Sequence, residues 1–257
     1  MGKRIVALFS VLILLFSAVI WRLSWLSRKE DFAQAANQQS TYTLEVSQSR
    51  GMIYDCQGQS LVNDSFHYMA AVLPNNESAA TLRSQFASAD LWREKMNSRV
   101  PFLTEVNTDA VRGEGVEVFS VPDRYSMDYT APHIVGYVDA DGVGQTGIER
   151  IFNDFLKSVG EKVKVRYQID AMGRALSGNG IEILQEGNRS DGVVLTLYKG
   201  LQQACERILS GAEVNGAIVV MDLADGGLRA VASAPGFDPR NVAESMNNPD
   251  SPLVNRA

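Results

Sequence analysis

A long apolar segment at the amino terminus is the feature that most constrains the fold of this chain of 257 residues. It runs from Ile5 to Trp21, is interrupted only by two serines, and continues past Arg22 to Leu26. About 20 such residues cross the hydrocarbon core of a bilayer, and an arginine near one end can extend its guanidinium to the interface. Trp21 and Trp25 lie where interfacial aromatic side chains concentrate. We therefore predict a cytoplasmic tip and transmembrane signal anchor over residues 1–26.

The charges around the segment predict its orientation. Lys3 and Arg4 precede it, and no acidic residue occurs before Glu30. Positive residues stay on the cytoplasmic side, so we expect a single-pass protein whose amino terminus is cytoplasmic and whose bulk lies outside. A cleaved secretory signal peptide is the alternative. The length of the apolar region and the lack of a small-x-small cleavage site favour an uncleaved anchor.

Composition excludes several classes of function. The formal net charge is −6, which argues against a nucleic-acid partner, because such proteins concentrate basic residues on one face. Two cysteines, Cys56 and Cys205, are too few for a disulfide framework or a four-cysteine zinc site. We expect them to stay separate, Cys56 in a turn and Cys205 on a helix face. With two histidines as well, we predict neither a metal nor a cofactor.

The middle of the chain predicts mostly strands. Residues 27–42 are polar and suit a juxtamembrane stalk, and residues 43–62 are strand-like around a β-turn at Asp55–Gly58. Residues 77–96 have helical spacing, residues 115–122 alternate as a strand ended by Pro122, and residues 162–169 alternate again. A glycine-rich loop follows at 172–180. That loop lacks the spacing of a phosphate-binding loop.

A helix is predicted from Thr146 to Gly160. Thr146 and Glu149 have the spacing of a capping box, and Gly160 can end the helix. The predicted apolar stripe of this helix comprises Ile148, Ile151, Phe152 and Phe155.

The character of the sequence changes near residue 190. Residues 193–197 are typical of a buried strand, and residues 200–209 of a helix with Leu201, Cys205 and Ile208 on one side. Residues 217–232 predict a hairpin with an Asp-Gly turn. We expect the hairpin to expose an apolar face that includes Ile218, Val220 and Val231. The tail 235–257 has no period.

Seven short motifs then occur in a fixed order behind the anchor. They are Arg50-Gly51-x-Ile53-x-Asp55-x-x-Gly58, His133-Ile134-Val135-Gly136-Tyr137-Val138, Gly144-x-x-Gly147-Ile148-Glu149, Leu195-Thr196-Leu197 before Leu201-Gln202, Gly216 to Asp222, Ala230-x-Ala232-Ser233-x-Pro235-x-Phe237-Asp238-Pro239, and Asn255-Arg256-Ala257. In this order they resemble the amino-terminal half of a class B penicillin-binding protein, a family of cell-division and sporulation transpeptidases that cross-link peptidoglycan. The chain departs from the family at Cys56, where arginine is usual, and at Leu197-Tyr198, where Ile-Asp is usual.

The resemblance implies an α+β fold in the bacterial cytoplasmic membrane. After the transmembrane helix it implies an elongated β-rich dimerisation domain, or pedestal, over residues 43–188, and then the truncated start of an α/β transpeptidase domain over 191–257. It implies as partners the membrane, other cell-wall synthesis proteins through the pedestal, and a possible homodimer. Binding of β-lactams is expected only where the catalytic domain is present. Elongation, division and sporulation remain open as roles.

The family's catalytic motifs are absent from these 257 residues. No lysine has a serine three positions before it, and no Lys-Thr/Ser-Gly occurs. Lys199 follows Thr196 at that spacing, but at a junction that the family does not use for catalysis. We therefore assign no catalytic residue and expect the non-catalytic part of a D,D-transpeptidase that stops short of its nucleophile. A membrane-tethered scaffold of cell-wall synthesis is the alternative, and an unrelated exported β-rich binding protein is a third reading.

The residues that carry the resemblance are predicted to have structural roles. They are Arg50, Gly51, Asp55, Gly58, His133, Gly136, Tyr137, Gly144, Gly147 and Glu149. Arg50, Asp55 and Gly58 either pin pedestal strands together or form a plain exposed turn. His133 is expected to pack rather than to titrate. Glu149 either only caps its helix or also reaches Arg50, and we predict that these two side chains lie within salt-bridge range.

Overall fold

The computed structural model describes residues 2–27, 41–83, 89–98, 100–170, 172, 176, 181–212 and 214–257. Almost all of the predicted stalk at 27–42, and all but two residues of the predicted loop at 172–180, lie outside the described residues. Helix α1, Gly2–Ser27, confirms the expected apolar helix. Within it, Arg4–Trp25 is long and apolar enough to cross a membrane, and none of this segment is buried against the rest of the chain.

The remaining elements form an α+β architecture. The strands are β1 (Thr41–Gln48), β2 (Met52–Tyr54), β3 (Ser65–Val72), β4 (Phe102–Val106), β5 (Val116–Asp123), β6 (Lys162–Gln168), β7 (Glu182–Glu186), β8 (Gly192–Val194), β9 (Gly216–Met221) and β10 (Leu228–Ala234). The helices are α2 (Asn76–Leu82), α3 (Ala89–Asn97), α4 (Pro132–Val135), α5 (Gly147–Ile151), α6 (Asn153–Val159), α7 (Lys199–Ala212) and α8 (Val242–Met246). The single helix expected over 77–96 is two helices, since α2 ends at Leu82.

Two antiparallel three-stranded sheets build the first half, in the orders β1-β6-β7 and β4-β3-β5. The predicted alternation of β6 is confirmed, because Val163, Val165 and Tyr167 are buried and pack in one cluster with Ala71 of β3. Strand β5 does not end before Pro122 but continues to Asp123. A proline lacks the N–H that a central strand needs, and β5 lies at the edge of its sheet, where this loss is tolerated.

The helix expected over 146–160 is broken in two at Phe152, which has φ −103° and ψ 23°. Thr146 occupies the N-cap position but makes no side-chain cap hydrogen bond, so the predicted capping box is wrong. The predicted apolar stripe is wrong in part. Ile151, Phe152 and Phe155 are exposed, and Leu156 is the buried member of this segment. The break interrupts the 3.6-residue period on which the stripe prediction depended.

The carboxy-terminal part contains the predicted hairpin, β9 paired with β10, and helix α7. The expected exposed face of the hairpin is wrong, because Val231 is buried and Ile218 and Val220 pack beneath α7, whereas Val219 and Met221 are exposed. Of the buried strand predicted over residues 193–197, only residues 193 and 194 lie in a strand, β8, which pairs in parallel with β2.

Two further burial predictions for this part are wrong. Val194 of β8 and Ile208 of α7 are both exposed. On α7, Cys205 and Leu209 are the buried apolar residues instead.

Candidate functional site

The carboxylate of Glu149 lies at the centre of a buried ion cluster that joins the segment before β2, the end of β5 and helix α5. Its Oε2 accepts from Nε of Arg50 at 2.9 Å, and Nη2 of the same arginine lies 2.9 Å away. Its Oε1 accepts from Nε of Arg124 at 2.6 Å and from the hydroxyl of Tyr125 at 3.2 Å. The Glu149 side chain has no exposed surface. The predicted contact of Arg50 with Glu149 is thus confirmed, and the alternative in which Glu149 only caps its helix is wrong.

Arg50 also joins two backbone segments. Its Nη1 donates to the carbonyl of Gly142 at 2.7 Å and to Oδ1 of Asn153 at 3.1 Å. The same amide oxygen accepts from the N–H of Gly144 at 3.0 Å. Arg50 therefore fixes the turn before α5 against the start of α6, and a planar guanidinium with several donors suits this role better than a lysine would.

Arg124 is the second cation of the cluster and was not predicted. Its Nη1 donates to the carbonyl of Gly51 at 2.7 Å, which ties the end of β5 to the segment before β2. Its Nη2 is buried and has no hydrogen-bond partner among the described residues. Two guanidiniums thus face one carboxylate. Burial and the negative charge of Glu149 raise the pKa of Tyr125, so its hydroxyl stays a neutral donor.

The motif glycines allow the backbones around this cluster to approach closely. A Cβ on Gly144 would lie 2.0 Å from the carbonyl oxygen of Glu149, and one on Gly136 would lie 2.0 Å from that of Thr146. A Cβ on Gly51 would lie 2.5 Å from Cγ2 of Val159. Gly147 contacts the α4 backbone on the same side. Any larger residue at these positions would push the segments that carry Arg50 and Glu149 apart.

Asp55 forms a second contact, between the turn after β2 and the start of α7. Its Oδ1 accepts from the N–H of Gln57 and of Gln59, both at 2.8 Å. Its Oδ2 accepts from the N–H of Lys199 at 3.0 Å, so the carboxylate caps a helix 144 positions away. The Lys199 ammonium donates to the carbonyl of Ser60 at 2.6 Å.

Asp55 has no exposed surface, and its protonation state follows from these contacts. Burial raises the pKa of Asp55, but the three backbone N–H donors outweigh that effect, and the pKa is lowered overall. Arg50 and Asp55 are buried, so the alternative in which they belong to a plain exposed turn is wrong for these two residues. Gly58 and Cys56 are exposed, as that alternative requires. Cys56 and Cys205 are both free, in the turn and on α7 as expected.

His133 and Tyr137 form a third contact, with the segment after β10. The Phe237 ring meets His133 at 5.2 Å and Tyr137 at 6.0 Å between centroids, both edge-on. Nε2 of His133 lies 2.8 Å from the carbonyl of Pro252. Burial lowers the pKa of His133, which keeps it a neutral hydrogen-bond donor near pH 7. This agrees with the expectation that His133 packs.

Gln202 holds α7 to β10 and was also not predicted as a functional residue. Its Oε1 accepts from the N–H of Val231 at 2.7 Å, and its Nε2 donates to the carbonyl of the same residue at 2.9 Å. The available signal was an amide among the apolar positions of a helix, next to Leu201 and Cys205. Buried amides in such positions are normally fully hydrogen-bonded.

One histidine–carboxylate pair, His67 Nδ1 with Asp123 Oδ1 at 2.7 Å, lies on β3 and β5, and both side chains are partly exposed. No group of three or more His, Cys, Asp or Glu residues that could hold a metal ion occurs among the described residues. The Asp55 and His133 contacts join the part before residue 190 to the part that follows, whereas the Glu149 cluster lies within the first of these parts.

Comparison with curated proteins finds relatives along nearly the whole chain. Peptidoglycan D,D-transpeptidase MrdA of Escherichia coli (strain K12) is 28% identical over 312 residues, which cover 99% of this chain and 48% of that protein. The chain is a homologue of the class B penicillin-binding proteins. The probable peptidoglycan D,D-transpeptidase PbpC of Pseudomonas aeruginosa is 26% identical over 93% of this chain and 46% of its own length. The chain thus spans about half the length of the curated relatives it matches. No family model matches it.

A solved structure supports the same fold. A chain from a structure described as the structural coordination of polymerization and crosslinking by a peptidoglycan synthase complex matches with a TM-score of 0.53 and 21% identity. The match covers 97% of this chain and 51% of that chain. At this identity the likeness shows the α+β penicillin-binding-protein fold alone.

Proposed function

We propose that this chain is the membrane anchor, pedestal and catalytic-domain lead-in of a peptidoglycan D,D-transpeptidase. The observation that carries the proposal is homology to MrdA along 99% of the chain, with the relative continuing for about as long again. The ion cluster of Arg50, Arg124 and Glu149 supports it, because two distant family motifs form one contact. The pedestal's task is then to hold the catalytic domain in a fixed orientation through the Asp55 and His133 contacts.

A chimera tests this function in cells. Residues 1–257 would replace the corresponding half of E. coli MrdA and be expressed in a strain depleted of MrdA. We expect the chimera to restore rod-shaped growth and to react with a fluorescent penicillin, while residues 1–257 alone form no penicillin adduct. A folded chimera that reacts with penicillin but never restores growth would contradict the assignment of the pedestal. A stoichiometric adduct on residues 1–257 alone would contradict the assignment as the non-catalytic part.

The orientation in the membrane belongs to the same proposal. Lys3 and Arg4 precede the apolar helix, which supports a cytoplasmic amino terminus with residues 27–257 outside. Protease added to intact spheroplasts should digest everything beyond the anchor. A carboxy-terminal part that stays protected until the membrane is lysed would contradict this topology.

Partners in cell-wall synthesis are also proposed. The similar solved chain belongs to a peptidoglycan synthase complex, which supports an analogous assembly through the pedestal of this chain. Crosslinking in cells that express the chimera, followed by identification of the crosslinked proteins, tests this. Recovery of no cell-wall synthesis protein with a functional chimera would contradict it.

A further inference from the structure

A cavity of about 870 Å³ lies between the loop before α4, helix α7 and the end of β10. Its volume is in the range of small-molecule sites, about 300–1,000 Å³. Pro132, Leu209, Val214 and Ala234 give it apolar walls. None of the three contacts described above uses this cavity.

One carboxylate oxygen opens into the cavity without a partner. Oε1 of Glu206 accepts from the N–H of Ala131 at 2.8 Å and from Nε2 of Gln202 at 2.9 Å. Within the described part of the chain, Oε2 of Glu206 accepts no hydrogen bond. The buried side-chain atoms that lack a partner there are Nη2 of Arg124 and the hydroxyl of Tyr167, so Oε2 of Glu206 is exposed to solvent. Because Glu206 lines the cavity, this oxygen is accessible from it. Asp128 adds a second carboxylate at the exposed rim.

The balance of charge in the cavity is negative. Asp128 and Glu206 are opposed by one base, Arg207, which makes no hydrogen bond to Glu206 among the described residues. Burial raises the pKa of Glu206, which is the behaviour of a carboxylate that lacks a sufficient counter-charge. The pKa of Tyr129, also in the wall, is raised by burial and by the charges of Asp238 and Glu206, although Arg240 opposes them.

We propose that this cavity binds an aliphatic cation, a primary ammonium or guanidinium group on an apolar stem. Oε2 of Glu206 would accept from the cationic head, with Asp128 at the rim, and the stem would lie against Leu209, Val214 and Ala234. A carboxylate is the natural acceptor for such a group, since charge-assisted hydrogen bonds are the stronger kind. The cation comes either from a lysine or arginine side chain of a polypeptide or from a free alkylamine. Since Glu206 also holds Ala131, the ligand would act at the contact between the pedestal and α7.

Titration with pentylamine tests the site, with 1-pentanol as the uncharged probe of the same stem. The full chain in detergent micelles, labelled with ¹⁵N-alanine, reports the cavity through the amides of Ala131 and Ala234. We expect saturable shifts with pentylamine and much weaker ones with 1-pentanol. Equal responses to the two probes would overturn the proposal, because the stem alone would then explain binding.

Matched variants separate the charge from the fold. Glu206→Gln keeps an oxygen that accepts from Ala131 and Gln202 but removes the charge, and it should weaken pentylamine binding roughly tenfold. Asp128→Asn, on the exposed rim, should weaken it by about twofold to threefold. Glu244→Gln on α8 makes the same charge change on an exposed helix outside the cavity and should leave binding unchanged. If Glu206→Gln disturbs the Ala131 amide of the free protein, Asp128→Asn decides the question, and unchanged binding in that variant overturns the proposal.

Two peptides distinguish the sources of the cation. Acetyl-Gly-Lys-Gly-amide and its norleucine counterpart differ only in the ammonium group. Tighter binding of the lysine peptide than of pentylamine indicates a side chain of a polypeptide, and weaker binding indicates a free amine. A norleucine peptide that binds as well as the lysine peptide would overturn the cation site.

Discussion

Removing the charge of Glu149 should destabilise the protein more than an isosteric change at Asp55 or Gln202. Glu149→Gln retains the shape of the side chain but leaves Arg50 and Arg124 without their carboxylate. The two arginine side chains are only 8% and 12% exposed, so water cannot replace the lost partner. Breaking a buried pair from one side costs about 3–5 kcal/mol. One carboxylate serves two guanidiniums here, so we expect the upper part of that range.

The measurement is chemical and thermal unfolding of the full chain in detergent micelles. For a chain of this size, each kcal/mol lowers the melting temperature by about 2–4 °C, so a loss of about 4–5 kcal/mol should lower the melting temperature by roughly 8–20 °C. Glu182→Gln is the matched control, because Glu182 pairs with Arg166 on the exposed face of the sheet. Exposed pairs contribute little, and this variant should melt with the parent.

A Glu149→Gln variant whose free energy of unfolding falls by less than about 1 kcal/mol would refute the reasoning. Such a result would mean that the cluster is hydrated in solution or that the two guanidiniums find other acceptors. An equal loss in both variants would refute it as well, since burial would then not be the cause.

Three further perturbations test the remaining contacts. Asp55→Asn removes a charged acceptor from the N–H of Lys199 and should cost about 1–3 kcal/mol at pH 7. Because the folded pKa of Asp55 is lowered, the parent's advantage in urea titrations should begin to fall below about pH 4 and should be lost as the pH falls through the folded pKa. Gly144→Ala should prevent native folding as judged by near-ultraviolet circular dichroism. Gly58→Ala should cost only about 1 kcal/mol, because nothing lies within 4 Å of the new Cβ and the strain comes from the backbone φ of +78° alone. The folded pKa of Glu206 is raised, so the parent should lose stability relative to Glu206→Gln as the pH rises through that folded value.

Local patterns in the sequence predicted the regular elements well where one period runs through an element. The alternation of Val163, Val165 and Tyr167 predicted the buried face of β6, and the Asp-Gly turn predicted the hairpin of β9 and β10. These features depend on neighbours along the chain. The contact of Arg50 with Glu149 is different, since it was predicted from the resemblance and spans 99 positions.

The predictions failed where the backbone or a distant partner decides the outcome. The helix breaks at Phe152, and Ile151, Phe152 and Phe155 of the predicted stripe are exposed. Arg124 follows directly after β5 and pairs with Glu149, which lies 25 positions further along the chain. Neither the helix break nor the Arg124–Glu149 pair produces a periodic pattern of residues that could have predicted it. Buried polar side chains such as Gln202 are equally hard to predict, because their partners lie on another element.

The domain boundary predicted near residue 189 stays a prediction, yet the packing crosses it. Val231 of β10 lies in one buried cluster with Ile53 and Leu61 of the first half, and Leu197 before α7 joins the same cluster. The other side of β10 presents Ala230 and Ala232 to α7, and such small side chains bury little apolar surface. The carboxy-terminal hairpin therefore packs against the part of the chain before residue 190 as well as against α7. A core that is shared in this way fixes the hairpin against the part of the chain before residue 190, and the Asp55 and His133 contacts add polar and aromatic links across the same boundary.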